Sequence, residues 1–449
     1  VIKIAIIGAG GFVFPLRLIG DLLSFPELRD STLALMDIDL GRAERTAGAA
    51  RELIGHYDFP TRVEATTDRR AALDGADFVI ITFYIGDDAT ARADKEIPAR
   101  YGIDQAVGDT LGPGGVIRFL RNAPVYAAIV AEIKELCPRA QVINYANPMA
   151  MNCWYLDRLG QAAVGLCHSV QNTSHMLAMQ LGVPYEEVRY LVAGINHQAW
   201  FLQFRRGEED LYPRLREVLG ARFGREQRAG DFAADSGDHS APQGATAYEG
   251  AQERVRTSIM RAFGYFHTES SHHASEYLPY FRKNPALIAS FIPERWPPVG
   301  RVRDVEARTR ELLGAFKERL APSSEYGAYI VHSMVTGQPR VIYGNVPNRG
   351  LIANLPEGCC VEVPCLVDAN GVQPTAIGAL PPQCAAINRT NVSVQELAVE
   401  AALTGDREHA HHAIMLDPLT SAILTLEQAR AMTDEMIAAE AAWLPAFAG

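Results

Sequence analysis

The chain opens on an apolar run broken once by lysine, "IKIAII", which glycines close. Behind it, in "FPLRLIGDLLSF", apolar residues recur three and four apart. A short apolar run followed by that spacing predicts a buried strand feeding an amphipathic helix. The alternation then repeats. "STLALMDID" reads as a second strand and "GRAERTAGAARELIGHY" as a long helix. "ADFVIITFYIG" reads as a strand, "PVYAAIVAEIKELCP" as a helix, and "AQVINYANP" as a strand closed by proline. Strands separated by helices imply right-handed βαβ units and a parallel sheet. The fold class expected is α/β, with a doubly wound, Rossmann-type parallel sheet at the N-terminal end.

After residue 151 the pattern mixes. "AAVGL" predicts a further strand, and "VRYLVAGINHQAWFLQF" alternates polar and apolar residues as an antiparallel strand pair does. Residues 224–250 hold almost no large apolar side chains, which predicts a mobile loop. Helical spacing is expected at 251–263, 304–320, 323–336 and 393–403 and in closing helices to 444. Strand-like pieces fall at 340–344 and 359–367. The expected division is a dinucleotide-binding part, 1–195, and a mixed α+β part, 196–449, wrapped onto it for substrate, metal and oligomer contacts.

Composition narrows the partners. A chain of 449 residues has ample length for a large core, and its net charge of −11 comes without a basic block. That argues against nucleic acid and against an anionic membrane surface. A small uncharged or polar substrate fits better. No apolar run reaches the roughly 20 residues that span a bilayer. Seven cysteines without framework spacing read as reduced thiols in a cytoplasm, with the neighbours Cys359 and Cys360 as buried thiols.

The turn after the first strand, "GAGGFVF", supplies Gly8 and Gly10 of a dinucleotide fingerprint, with Gly11 and Phe12 beside them; Val13 stands where a third glycine is usual. Glycines there let a pyrophosphate approach backbone N–H groups at a helix start. Asp37, at the end of the second strand, can accept both ribose hydroxyls and repels a 2′-phosphate, so NAD is favoured over NADP. Three polar segments follow. "GDTLGPGG" holds Asp109, "NYANPMAMN" holds Asn147 and Asn152, and "GLCHSVQ" holds Cys167 and His168. Ligands of doubly wound sheets sit beyond the carboxyl ends of the strands, so these loops point to one crevice. "GINHQAW" adds Asn196 and His197.

Adjacent side chains on an extended segment face opposite ways, so Cys167 pairs better with His197 than with His168. Thiolate and imidazole suit a divalent transition metal, and ligand softness alone suggests Zn²⁺. The alternative is a buried thiol and a hydrogen-bonded histidine, each purely structural. His409, His411 and His412 in "REHAHHA" fall on a predicted surface helix and carry no metal reading. "RVRDVEARTRE", 301–311, reads as a solvated helix face.

Together "GAGGFVF", "GDTLGPGG", "NYANPMAMN", "GLCHSVQ", "AGINH", "TESSHHASEY", "VIYGNVPN" and "CCVEVPCLVDANGVQPTAIGALP" resemble glycoside hydrolase family four, and within it the bacterial α-galactosidases. The resemblance runs from Ile4 to Trp443. It implies a glycosidase outside the usual two-carboxylate scheme. NAD⁺ takes hydride from sugar C3, the resulting ketone acidifies the C2 proton, elimination expels the C1 oxygen, water adds, and NADH returns the hydride. It also implies a divalent metal, Mn²⁺ in place of Zn²⁺, on Cys167 and His197. Asn147 and Asp109 match substrate-side positions, and Asn147 also borders the cofactor. His168 matches a proton donor or a sugar-binding residue, as does Asn196 for binding. The C2 base falls in "TESSHHASEY", with Tyr277 the candidate and His272 and Glu276 its competitors. The implied substrate is a small α-galactoside and the implied assembly a homodimer or homotetramer in the cytoplasm. An α-galacturonidase, α-glucuronidase or α-glucosidase of the same family is the near alternative; a carboxylated sugar would need a cation such as Arg118, Arg121 or Arg349. A 2-hydroxy-acid dehydrogenase, or an idle NAD- and sugar-binding sensor, is the distant one.

Overall fold

The structure is a computed structural model that describes residues 1–11, 14–229, 253–292 and 304–447. Phe12 and Val13 lie outside the described residues, so the expectation placed on Phe12 has no structural counterpart. Thirteen strands are described: β1 Ile2–Ile7, β2 Ser31–Met36, β3 Arg62–Thr66, β4 Phe78–Ile81, β5 Gln141–Asn144, β6 Ala163–Gly165, β7 Val188–Ile195, β8 Gln198–Arg206, β9 Glu209–Asp210, β10 Phe266–His267, β11 Arg340–Pro347, β12 Cys360–Asp368 and β13 Gly371–Pro374.

The first six strands are parallel in the order β3-β2-β1-β4-β5-β6. This is the dinucleotide-binding order, in which the strand sequence reverses between β1 and β4. The central strands are apolar because helices cover both faces. Ile4, Ile6, Val79, Ile80 and Ile81 have no exposed surface. β3, "RVEAT", forms the edge and is half exposed. Its charges break the alternation, which is why the sequence pattern did not mark it as a strand.

The sheet does not stop at β6. β11 runs antiparallel beside β6, β12 beside β11, and β7 beside β12, followed by β8 and β10. The expected antiparallel pair is the hairpin β7–β8, closed by Asn196 and His197. One cross-strand row links the two halves: Gly165, Asn345, Glu362 and Gly194.

The helix expected at "PVYAAIVAEIKELCP" is much longer, Gly112–Leu136, and contains Pro124. Its first half, "GPGGVIRFLRNA", is apolar on nearly every side because it is buried all round, so it shows no amphipathic spacing. The expected mobile loop is corrected in its first residues: the helix Tyr212–Ala229 runs into it, and residues 230–250 lie outside the described residues. "REHAHHA" lies in the helix Arg407–Leu416, but His411 is buried there, its Nε2 2.7 Å from Asp434. The helix Val305–Glu318 carries the expected surface pairs Arg308–Glu311 and Arg310–Glu306. All seven cysteines are free and buried. No helix among the described residues is long and apolar enough to cross a membrane.

Candidate active site

The glycine turn is built for close approach. Gly8 has φ +93°, and a Cβ there would stand 2.7 Å from the Phe83 backbone. A Cβ on Gly10 would stand 2.6 Å from Asp37 Oδ2, whereas one on Gly11 would meet only ordinary contacts. Asp37 Oδ2 accepts the Gly10 N–H at 2.8 Å, which ties the end of β2 to the turn. Gly8, Gly10, Gly11, Asp37, Phe83 and Tyr84 line a cavity of about 360 Å³. A tight turn without side chains, opening onto a cavity beside a carboxylate, suits the close approach of a pyrophosphate and a ribose, so the residues present fit a dinucleotide.

The polar segments expected to share a crevice are joined by contacts. Asn147 Nδ2 donates to Asp109 Oδ2 at 3.2 Å, and Arg118 stands 3.9 Å from the same carboxylate. Burial pushes the Asp109 carboxyl up, but His273, Arg118 and His197 outweigh it and hold it below the usual carboxylate range. Asn152 is spent inside the core, bound to Ala146 O and Asn122. Glu276 is structural: its carboxylate accepts the N–H groups of Val107 (2.6 Å) and Gly108 (3.3 Å), pinning the Asp109 loop to the helix Ser271–Tyr277.

Cys167 and His197 meet, and a third donor joins them. Glu269 Oε2 lies 3.9 Å from Cys167 Sγ and 3.4 Å from His197 Nε2, and the three donor atoms lie within 4.8 Å of one another. All three side chains are buried. Sulfur, nitrogen and oxygen donors converging away from water fit a divalent transition metal. The backbone is bent to make this cluster. Of the three non-glycine residues with positive φ among the described residues, two are His197 (61°) and Glu269 (66°). Such outliers collect at functional sites.

Glu269 is the residue that sequence reasoning missed. It stands inside "TESSHHASEY", quoted for its histidines and tyrosine, but its left-handed backbone and its partners 72 and more residues upstream leave no local trace. Tyr277 lies against this cluster, its hydroxyl 3.1 Å from His197 Nδ1 and 2.8 Å from His273 Nδ1. Burial pushes its phenol well above the ordinary value, with Glu276, Asp109 and Glu269 adding to the rise. His168 is partly exposed, with Nδ1 3.3 Å from Glu325 Oε1; burial lowers its pKa, but Glu325 more than reverses this, to about 9. Asn196 is fully buried and neither amide atom has a hydrogen-bond partner among the described residues. His272 is buried in the same helix.

Fold and site define a dinucleotide-binding α/β enzyme with a buried metal-donor cluster at its strand ends. A family 4 glycosyl hydrolase model matches residues 3–183, and the family's C-terminal domain model matches residues 192–420; the chain belongs to glycosyl hydrolase family 4. It is 37% identical to an alpha-galactosidase of Rhizobium meliloti, covering 99% of this chain and 90% of that one. It is 36% identical to an alpha-galactosidase of Bacillus subtilis, covering 99% of both. Among solved structures it superposes on a 6-phospho-alpha-glucosidase from gut microorganisms, in complex with NAD and Mn²⁺, with TM-score 0.78, 21% identity and full coverage of both chains. That likeness is one of fold.

Proposed function

We propose that this chain is an α-galactosidase that works with NAD⁺ and a divalent cation, Mn²⁺ by preference. The observation that carries the reading is the Cys167–His197–Glu269 cluster beside Asp109 and Asn147, in a chain that aligns end to end with alpha-galactosidases. Bound NAD⁺ supplies hydride removal and return at sugar C3, and a bound cation supplies positive charge beside O2 and O3.

The chain's own residues do the rest. Gly8 and Gly10 admit the pyrophosphate, and Asp37 takes the ribose. Cys167, His197 and Glu269 hold the cation. The Tyr277 hydrogen bond to His197 Nδ1 leaves Nε2 as that ring's donor atom, the second partner that orients a ligating histidine. Asp109 and Asn147 form a rigid pair that binds sugar hydroxyls, joined by the unpartnered amide of Asn196. His168 delivers a proton to the departing C1 oxygen. Tyr277 removes the C2 proton, and its hydrogen bond to His273 gives its own phenolic proton a place to go.

An uncharged sugar is favoured over a uronide. Arg121 is fully buried between Asp94 and Glu440, and Arg349 is a surface residue paired with Asp157. Arg118 remains near the crevice, but Asp109 faces it and it lies over the Tyr84 ring at 4.6 Å. Location in a cytoplasm accords with seven free thiols. A homodimer or homotetramer accords with exposed Leu416, Leu426 and Trp443 near the closing helices.

The test is a panel of aryl α-glycosides assayed with NAD⁺, Mn²⁺ and a thiol reductant. Release from the galactoside without net NADH supports the reading. Preference for the galacturonide would replace the substrate, net NADH would mean a dehydrogenase, and binding without product would mean a sensor.

A further inference from the structure

Glu362 stands in β12 with no exposed surface. Neither of its carboxylate oxygens makes a hydrogen bond of ordinary geometry among the described residues; the neighbouring Asn345 amide, which donates to Gly165 O at 3.3 Å, is its one weak polar contact there. A carboxylate buried with so little donor support is costly, and chains keep one chiefly where a charge must be matched. Its position suggests which charge. Glu362 lies in the row Gly165–Asn345–Glu362–Gly194, the row whose outer strands lead directly to the metal donors. Cys167 follows Gly165 by two residues and His197 follows Gly194 by three.

The electrostatics link the same groups. Burial pushes the Glu362 carboxyl up to about 8, with Glu269 adding to the rise and Asn345 opposing it. Cys167, Glu269 and Glu362 are three buried groups able to carry negative charge, with Glu269 and Glu362 repelling one another. A divalent cation relieves that repulsion, and a site with one carboxylate fewer attracts it less.

We propose that Glu362 is a positioning residue of the metal centre: a carboxylate outside the Cys167–His197–Glu269 donor set whose charge the site needs to hold a divalent cation. The proposal rests on the metal reading above.

The experiment is a Mn²⁺ titration of the full chain, followed by the paramagnetic resonance signal of free Mn²⁺, together with thermal unfolding of the metal-free protein. Glu362→Gln should bind Mn²⁺ about 10- to 100-fold more weakly, the range for loss of a group outside the ligand set. Its metal-free thermal midpoint should equal or exceed the parent's, because an amide carries no ionisable group for burial to penalise. Glu362→Met, apolar and of similar length, should show the same weakening and serves as the neutral variant if the glutamine form does not fold. Glu362→Asp keeps the charge and should stay within about threefold of the parent. Parent-like affinity in a neutral variant overturns the proposal, as does an aspartate variant as weak as the neutral ones. Absence of Mn²⁺ binding in the parent would instead remove the metal reading itself.

Discussion

The Asp37 carboxylate accepts the backbone N–H of Gly10 at 2.8 Å, so the end of the second strand and the glycine turn are one rigid unit. A methyl group at position 10 would fall 2.6 Å from that carboxylate and 2.5 Å from Arg42 Cβ. Gly10→Ala should therefore weaken NAD⁺ binding by roughly tenfold or more, a loss of at least about 1.4 kcal/mol. Titration calorimetry with NAD⁺ measures it. Gly11→Ala is the comparison, with room for the added carbon and near-parent affinity expected.

Tyr277 separates two roles that one geometry allows. As the group that takes the C2 proton, its loss in Tyr277→Phe should lower kcat by about 10²–10⁴. Mn²⁺ affinity should also fall, by about 10- to 100-fold, because the hydrogen bond that orients His197 is lost, but saturating Mn²⁺ should not restore kcat. If saturating Mn²⁺ restores kcat, Tyr277 serves only to orient His197. Steady-state kinetics across a Mn²⁺ series gives both numbers.

How far the site was legible follows from where its parts lie in the chain. Gly8, Gly10 and Asp37 are readable because strand, turn and acid arrive in order within forty residues. Cys167 and His197 are readable as a pair because each follows its own predicted strand. Glu269 is not, since its place depends on a left-handed backbone and on β10 pairing with β8. The insertion of β11 and β12 between β6 and β7 is invisible for a similar reason: those strands lie more than 140 residues downstream of the ones they separate. Glu276 looked catalytic by type, but it is spent on two backbone N–H groups, which only the tertiary fold supplies.

The closing segment is locked by a buried charge group. Arg121 is fully buried, bidentate to Asp94 at 2.7 and 2.9 Å, and bonded to Glu440 just past the helix Leu426–Ala439. Arg121→Met leaves two buried carboxylates facing each other. The expected cost is about 3–5 kcal/mol, read as a lower thermal midpoint and earlier proteolysis of the closing helix.

Asp21, outside the Cys167–His197–Glu269 donor set, predicts a pH dependence of stability. Burial pushes its carboxyl up to about 7 against two hydrogen bonds from Ser323, with Glu325 adding to the rise. The folded chain thus keeps a proton that the unfolded chain releases near pH 4, the ordinary aspartate range. Its contribution to stability is fully present below about pH 4 and is lost as pH rises through about 7. The parent's thermal midpoint should fall between about pH 5 and pH 8, and Asp21→Asn should flatten that fall. An equal slope in both proteins would remove Asp21 as its source.

The central claim is that the acetal breaks because a transient C3 ketone acidifies the neighbouring C–H bond. An aryl α-galactoside carrying deuterium at C2, turned over in ordinary water with NAD⁺ and Mn²⁺, tests it directly. The released galactose should carry solvent hydrogen at C2, with no net NADH. Full retention of deuterium at C2 would contradict the account.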